Sequence, residues 1–158
     1  MEYNNYVTQF ISAWDSPSDT LVSTCHQIIS LMVKDPSIKS WLSEQLGEKE
    51  SLELYRDKKH GFVLTAYTEK FEQYRVPHNH GNGWVIYSVV NGKMEMGSYD
   101  KNISLINSDI LNSGDSRVYL PGDIHDTRCL SLGALLLRFT SCDLKIEEKE
   151  GRMKKFTF

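Results

Sequence analysis

Five histidines punctuate the chain, at positions 26, 60, 78, 80 and 125, and two of them, His78 and His80, form an H-x-H pair. If that stretch is extended, residues i and i+2 project from one face of the strand, roughly 7 Å apart at the backbone. Two neutral imidazoles so placed can converge on one metal ion. A third donor must then come from another strand. His125 follows Pro121-Gly122-Asp123-Ile124, a tight turn leading into a strand, and makes a set of three nitrogen donors from two strands. His26 and His60 stand alone and read as hydrogen-bonded core or surface residues.

A metal site needs a neighbour that recognises what binds there. Arg138 interrupts the apolar run Ala134-Leu135-Leu136-Leu137-Arg138-Phe139. A guanidinium in such a run is costly unless it is paired or faces a cavity. Three readings stay open for it: contact with a substrate carboxylate, a salt bridge across the barrel, or an exposed edge. Tyr87 shares a strand face with Val85 if alternation is unbroken, so its hydroxyl can reach a pocket or be satisfied by a buried carbonyl. Cys129 lies four residues past His125 on the same face, inward as a pocket residue or as a small buried hydrophobe. Trp84, Tyr87, Tyr99, Tyr119 and Phe139 either wall a pocket or pack in the core. Asp123 and Asp126 flank His125, where a carboxylate can orient a metal-bound imidazole, but Asp126, adjacent in sequence, points to the opposite face.

The elements that must position these residues change character near residue 60. Before it the apolar spacing is helical: Tyr6, Val7, Phe10, Ile11 and Trp14, then Leu21, Val22, Cys25, Ile28, Ile29, Met32 and Val33. Ser16-Pro17 reads as the start of the second helix and Asp35-Pro36 as its end. A third helix is predicted over Ile38 to Leu46, stopped by Gly47. From residue 60 onward the signal is β, with strands predicted at Phe62–Tyr67, Trp84–Val90, Lys93–Tyr99, Ile103–Ile106, Val118–Leu120, Thr127–Leu130 and Ala134–Thr140. Asn91-Gly92 is a hairpin signal between two of them. A second hairpin is predicted for the tail, Lys145–Glu147 against Lys154–Phe158 around Glu150-Gly151. The organisation expected is one structural domain, with residues 1–58 a helical segment packed on a β-barrel of residues 59–158.

The spacing around the histidines resembles the two motifs of the cupin superfamily, the small double-stranded β-helix barrels. After His80 come four residues, then Val85, six more, then Gly92. Gly114 is followed by five residues, then Leu120-Pro121-Gly122, two more residues, and His125. The resemblance covers roughly residues 60 to 145. The fold it implies is mainly β, a cupin barrel preceded by an N-terminal helical segment, with one divalent metal ion on His78, His80 and His125. Val85 stands where the general pattern has a glutamate, Leu120 where it has proline and Cys129 where it has asparagine, and no Asp or Glu occurs between His80 and Glu95. Without the carboxylate a divalent ion keeps its full charge and about three open positions, which suits an anionic, chelating substrate and leaves room for dioxygen. An open set of three donors is the catalytic rather than the structural kind.

A three-histidine cupin preceded by helices is similar to the thiol dioxygenases, which include the cysteine and mercaptopropionate dioxygenases, and Pro77-His78-Asn79-His80-Gly81 is similar to their first-motif segment. That resemblance implies an Fe(II) dioxygenase acting on a small anionic substrate such as a carboxylated thiol. It also assigns Arg56, in Leu54-Tyr55-Arg56-Asp57, to the arginine that holds the substrate carboxylate; read from the residues alone, Arg56 is a solvated arginine on a connecting segment. The Ser-x-His-x-Tyr triad of that family falls on Leu136, Arg138 and Thr140 and is absent. Val85 occupies the position of the cysteine that cross-links to tyrosine in animal cysteine dioxygenases. Zn, Ni or Mn, diketone cleavage, a non-redox cupin enzyme and a non-catalytic metal- or small-molecule-binding cupin are the alternatives.

Composition sets bounds on all of these. The chain has 158 residues, 40% hydrophobic and 25% charged, enough for one folded domain with its own core. With 18 basic and 21 acidic residues the net charge is −3, against a protein that grips nucleic acid. No apolar run approaches a membrane span. MEYNNYVTQF lacks the features of a secretory leader, and Cys25, Cys129 and Cys142 are too scattered for a disulfide framework. These features predict a cytoplasmic protein with reduced thiols, a small-molecule substrate and O2 as partners, and a homodimer is compatible with exposed barrel edges.

Overall fold

A computed structural model describes residues 2–157. Three helices come first: α1 (Tyr3–Asp15), α2 (Leu21–Lys34) and α3 (Pro36–Leu46). Each buries one stripe: Tyr6, Val7 and Phe10 from α1; Cys25, Ile28, Ile29, Met32 and Val33 from α2; Ile38, Leu42 and Leu46 from α3. Ser16-Pro17 does not open α2. Ser16 closes α1, its N–H bonding to Ser12 O at 3.3 Å, and a turn carries the chain to Leu21. Ser16 ends α1 because a residue before proline is driven out of the helical region. The cap-and-proline signal operates one helix later. Asp35 ends α2 and caps α3, accepting from the Ser37 N–H at 3.0 Å, with Pro36 in the first turn.

Nine strands follow: β1 (Ser51–Arg56), β2 (Val63–Lys70), β3 (Tyr74–His78), β4 (Val85–Asn91), β5 (Lys93–Tyr99), β6 (Leu105–Asn112), β7 (Ser116–Tyr119), β8 (Ile124–Cys129) and β9 (Gly133–Thr140). They form two antiparallel sheets, β1-β2-β9-β4-β7 and β3-β8-β5-β6, and a short helix α4 (Leu144–Lys149) closes the chain. The five-stranded sheet is covered on both faces. Leu64, Ala66, Ile86, Val90, Leu137 and Phe139 pack under the helices, while Val85, Tyr87, Val89, Ala134 and Leu136 face the second sheet with Met94, Met96 and Cys129. That two-sided burial is why β4 reads as an unbroken apolar run. The two sheets are not hydrogen-bonded into a closed barrel, and the gap between β1–β2 and β3 is the mouth of a cleft.

Four expectations give way here. The sheet starts at Ser51, so its first strand lies inside the segment assigned to the helices; an edge strand with exposed Ser51 and Glu53 gives only a weak signal. Asn91-Gly92 is not a hairpin. β4 is already flanked by β9 and β7, so the turn sends β5 into the other sheet. The predicted strand at Ile103–Ile106 is displaced to Leu105–Asn112, an edge strand exposed along most of its length. The tail is no hairpin: Asp143 caps α4 by accepting from the Lys145 N–H at 2.9 Å, and only Lys155 bridges to a strand residue, His78. Phe158, at the end of that prediction, lies outside the described residues. No described helix is long and apolar enough to cross a membrane, and all three cysteines are free.

Candidate metal centre

His78 ends β3 and pairs directly with His125 of β8. His80 lies just past β3, in the turn toward β4, so the turn and not strand alternation aims it. The three rings meet all the same, with centroids 4.5 Å (His78–His125), 5.0 Å (His78–His80) and 5.1 Å (His80–His125) apart. One ligand atom from each lies within 4.8 Å of the others. His125 is carried in by the turn Leu120–Asp123, where Asp123 N bonds to Leu120 O at 3.0 Å and its carboxylate accepts from Leu120 N at 2.7 Å. Tyr119 stacks on His125 at 3.9 Å and 21°.

The ring nitrogens fit a metal. His78 Nδ1 donates to Val76 O at 2.7 Å, which leaves the lone pair on Nε2. His80 Nδ1 and both nitrogens of His125 are buried with no hydrogen-bond partner. Buried polar atoms are normally satisfied, and one metal ion would satisfy His80 Nδ1 and one nitrogen of His125. His80 is 2% exposed and His125 0%. Burial, with His78 and Arg138 adding repulsion, pushes His80 down to about 3. Burial, with the neighbouring histidines, holds His125 well below its ordinary value, and burial also lowers His78. All three are therefore neutral near pH 7, the form that ligates.

Arg138 is not on an exposed edge: it lines the cleft beside His78 and His80. No carboxylate among the described residues pairs with it, its Nε is buried without a partner, and its guanidinium sits 5.7 Å from the Tyr67 ring centroid. Tyr87 is buried in the same cleft, its hydroxyl 3.0 Å from His80 Nε2. Burial raises its pKa while Arg138 beside it pulls the other way. Arg56 lines the cleft too, but it is bonded to Glu53 at 2.9 Å and 2.7 Å and to Asp143 at 2.7 Å, so its fork is occupied. Val85 and Cys129 sit in the inner apolar core, with Cys129 Sγ 3.4 Å from Ser131 O, and neither lines the cleft.

Trp84 is on the wrong face for a pocket. It stacks with Trp14 at 5.9 Å and Phe139 at 5.6 Å under the helices, one residue out of phase with Val85 and Tyr87. Asp126 points away as alternation requires, accepting from Tyr74 and Tyr99 hydroxyls at 2.7 Å and 2.6 Å. Tyr67 and Thr127 line the cleft and were not foreseen. The signal was available as period two: Thr127 is i+2 from His125, and Tyr67 shares a face of β2 with Thr65, which pairs with Arg138. The cleft measures about 1100 Å³ and opens to solvent between the sheets.

No family model and no curated protein matches this sequence. Solved structures do match in shape. KdgF from Halomonas sp. superposes with a TM-score of 0.50 at 17% identity over 57% of this chain and 74% of that one. The Schizosaccharomyces pombe Cnp3 cupin domain gives 0.51 at 9% identity over 65% and 66%. An oxalate oxidase in complex with glycolate gives 0.50 at 16% identity over 60% of this chain and 52% of that chain, so this chain spans about half its length. The two facing antiparallel sheets, with helices laid on one of them, are a cupin fold.

Proposed function

We propose that this chain is a metal-dependent cupin enzyme in which His78, His80 and His125 hold one divalent ion and Arg138 anchors a small anionic substrate. Arg138 carries the proposal. A guanidinium whose Nε is buried and unpartnered, in the cleft lined by His78 and His80, makes an anion site beside the candidate metal site. Three uncharged ligands leave the ion's charge uncompensated, so an anionic donor from the substrate is favoured on the metal. No described carboxylate occupies the Arg138 fork, which is suited to take a substrate carboxylate with two hydrogen bonds. The Tyr87 hydroxyl, beside both His80 and Arg138, is placed to orient the bound molecule.

The specific reaction proposed is Fe(II)-dependent oxygenation of a carboxylated thiol. Fe(II) would supply the redox chemistry that couples a thiolate to O2, both oxygen atoms going to sulfur. Proton-transfer chemistry of the isomerase or lyase kind has less support. Glu69, buried on the Tyr67 face of β2, is already bonded by Arg75 at 2.7 Å.

Oxygen uptake by protein loaded anaerobically with Fe(II), against a panel of small carboxylated thiols and diketones, tests this. His78→Ala should lose most of its metal and all uptake while keeping its fold. Arg138→Gln should keep its metal and raise KM about tenfold to a hundredfold, the loss of charged hydrogen bonds. Unchanged metal content in His78→Ala would overturn the metal centre. Absence of uptake with every substrate, with iron tightly bound, would overturn the dioxygenase in favour of a binding module.

A further inference from the structure

Two of the three histidines, His78 and His80, lie in the segment Pro77–Gly83, and that segment is gripped from outside by the end of the chain. Phe156 N bonds to Pro77 O at 2.8 Å, and Asn79 N to Lys154 O at 3.0 Å. The Asn79 side chain accepts from Lys154 N at 3.0 Å and from Gly81 N at 3.3 Å. Lys155 bridges to His78 itself. Asn82 N donates to Glu147 Oε1 at 2.8 Å. Glu147 is 4% exposed, and Arg152 Nε holds its other oxygen at 2.6 Å.

The sequence of the loop is cut to this contact. A Cβ on Gly81, whose φ is +63°, would lie 3.0 Å from Arg152 Cβ and 3.2 Å from Glu147 Oε1. A Cβ on Gly83 would lie 2.9 Å from Cys142 Sγ. So Gly81, at a positive φ and close against Arg152 and Glu147, and Gly83, close against Cys142 just before α4, let the loop on either side of Asn82 lie tight on the C-terminal segment.

We propose that the segment Asp143–Phe156 is a clamp that fixes the metal ligands His78 and His80, and that Glu147 is its positioning residue, acting through the Asn82 N–H on the turn that aims His80. This rests on the metal-centre reading above. His80 needs such a device because it lies beyond the end of β3, where no strand ladder sets its direction. A buried carboxylate held by an arginine is a rigid acceptor for one backbone N–H, and the turn between His80 and Gly83 is pinned at that point. Removing the carboxylate frees the turn and loosens His80 relative to His78 and His125.

Co(II) is the probe, with the whole 158-residue chain, its visible absorption reporting ligand geometry and competition with a chelator reporting affinity. Glu147→Ala should weaken Co(II) binding about tenfold, the lower end of what outer partners of metal ligands contribute, and alter the absorption envelope. Glu147→Gln keeps an oxygen for the Asn82 N–H and should recover most of the affinity. Arg152→Met, which leaves the carboxylate in place but unheld, should show a smaller loss and serves if Glu147→Ala does not fold. Leu42→Ala, in the helical layer, is the control: it should lower the melting temperature of metal-free protein without moving Co(II) affinity. Wild-type affinity in Glu147→Ala and Arg152→Met, or an equal affinity loss in Leu42→Ala, overturns the clamp while leaving the metal centre standing. Failure of the wild type to bind Co(II) overturns both.

Discussion

His80 and His125 are buried imidazoles whose environment forbids their charged form, and this couples the site to pH. In the unfolded chain they titrate near 6.5. In the native protein burial holds all three site histidines lower, His80 at about 3. Below about pH 6.5 the unfolded state therefore binds more protons than the native state, and stability falls as pH falls. The stabilising difference is fully present above that value and is lost as pH drops toward the native pKa values. Thermal melts of metal-free protein in chelator should show a falling midpoint from pH 7 to pH 5, a range where ordinary carboxylates are still ionised. His80→Gln should make that slope shallower. A flat profile in the wild type would show that these rings are not buried neutral in solution.

Among the elements, α3 is capped and tied to α1 by one residue. Asp35 accepts from the Ser37 N–H at 3.0 Å and the Ser37 hydroxyl at 2.7 Å, and its other oxygen accepts from the Tyr6 hydroxyl of α1 at 2.8 Å. Asp35→Ala removes a helix cap and a link between helices, and should cost about 1–2 kcal/mol. Asp35→Asn keeps a capping oxygen and should cost less, and urea denaturation of the two variants separates them. The capping chemistry of Asp35-Pro36 was legible because it is local. Ser16-Pro17 has the same kind of residues and forms no cap, because the turn from α1 to α2 is set by where the two helices pack. Period-two alternation was equally local, and it put Tyr87 on the Val85 face of β4, the face that looks toward the second sheet. It also separates Trp84 from them, a point that grouping aromatics by type obscures.

For the whole molecule, the helices and the five-stranded sheet share one core. Phe10 stacks on Phe139 at 4.6 Å, Phe62 lies 5.2 Å from Phe139, and Trp14, Trp41 and Trp84 all pack in that layer. Tryptophan fluorescence therefore reports the helix–sheet layer, and far-UV circular dichroism reports helices and strands together. The two midpoints should coincide in denaturant, as one cooperative unit requires. Phe139→Ala should lower stability by about 3–5 kcal/mol and move both midpoints together. An early fluorescence transition, with the sheet still folded, would make the helical segment an independent unit.

The sequence by itself determined the candidate donor set, His78, His80 and His125, the absence of a carboxylate at Val85, the helical and β halves, and the phase of Tyr87 with Val85. All of these follow from residue type and short-range spacing, which the chain carries locally. Only the tertiary structure decided that β4 and β5 belong to different sheets, because the edges of β4 are taken by strands distant in sequence. It also decided which arginine is paired with carboxylates. Arg56 and Arg138 are the same residue on paper, but Glu53 and Asp143 converge on Arg56 in space and no described carboxylate reaches Arg138. Finally, the tail that reads as a hairpin meets the His78–His80 segment through Glu147, Lys154, Lys155 and Phe156. That contact joins residues more than sixty positions apart, and nothing in the spacing of either segment encodes it.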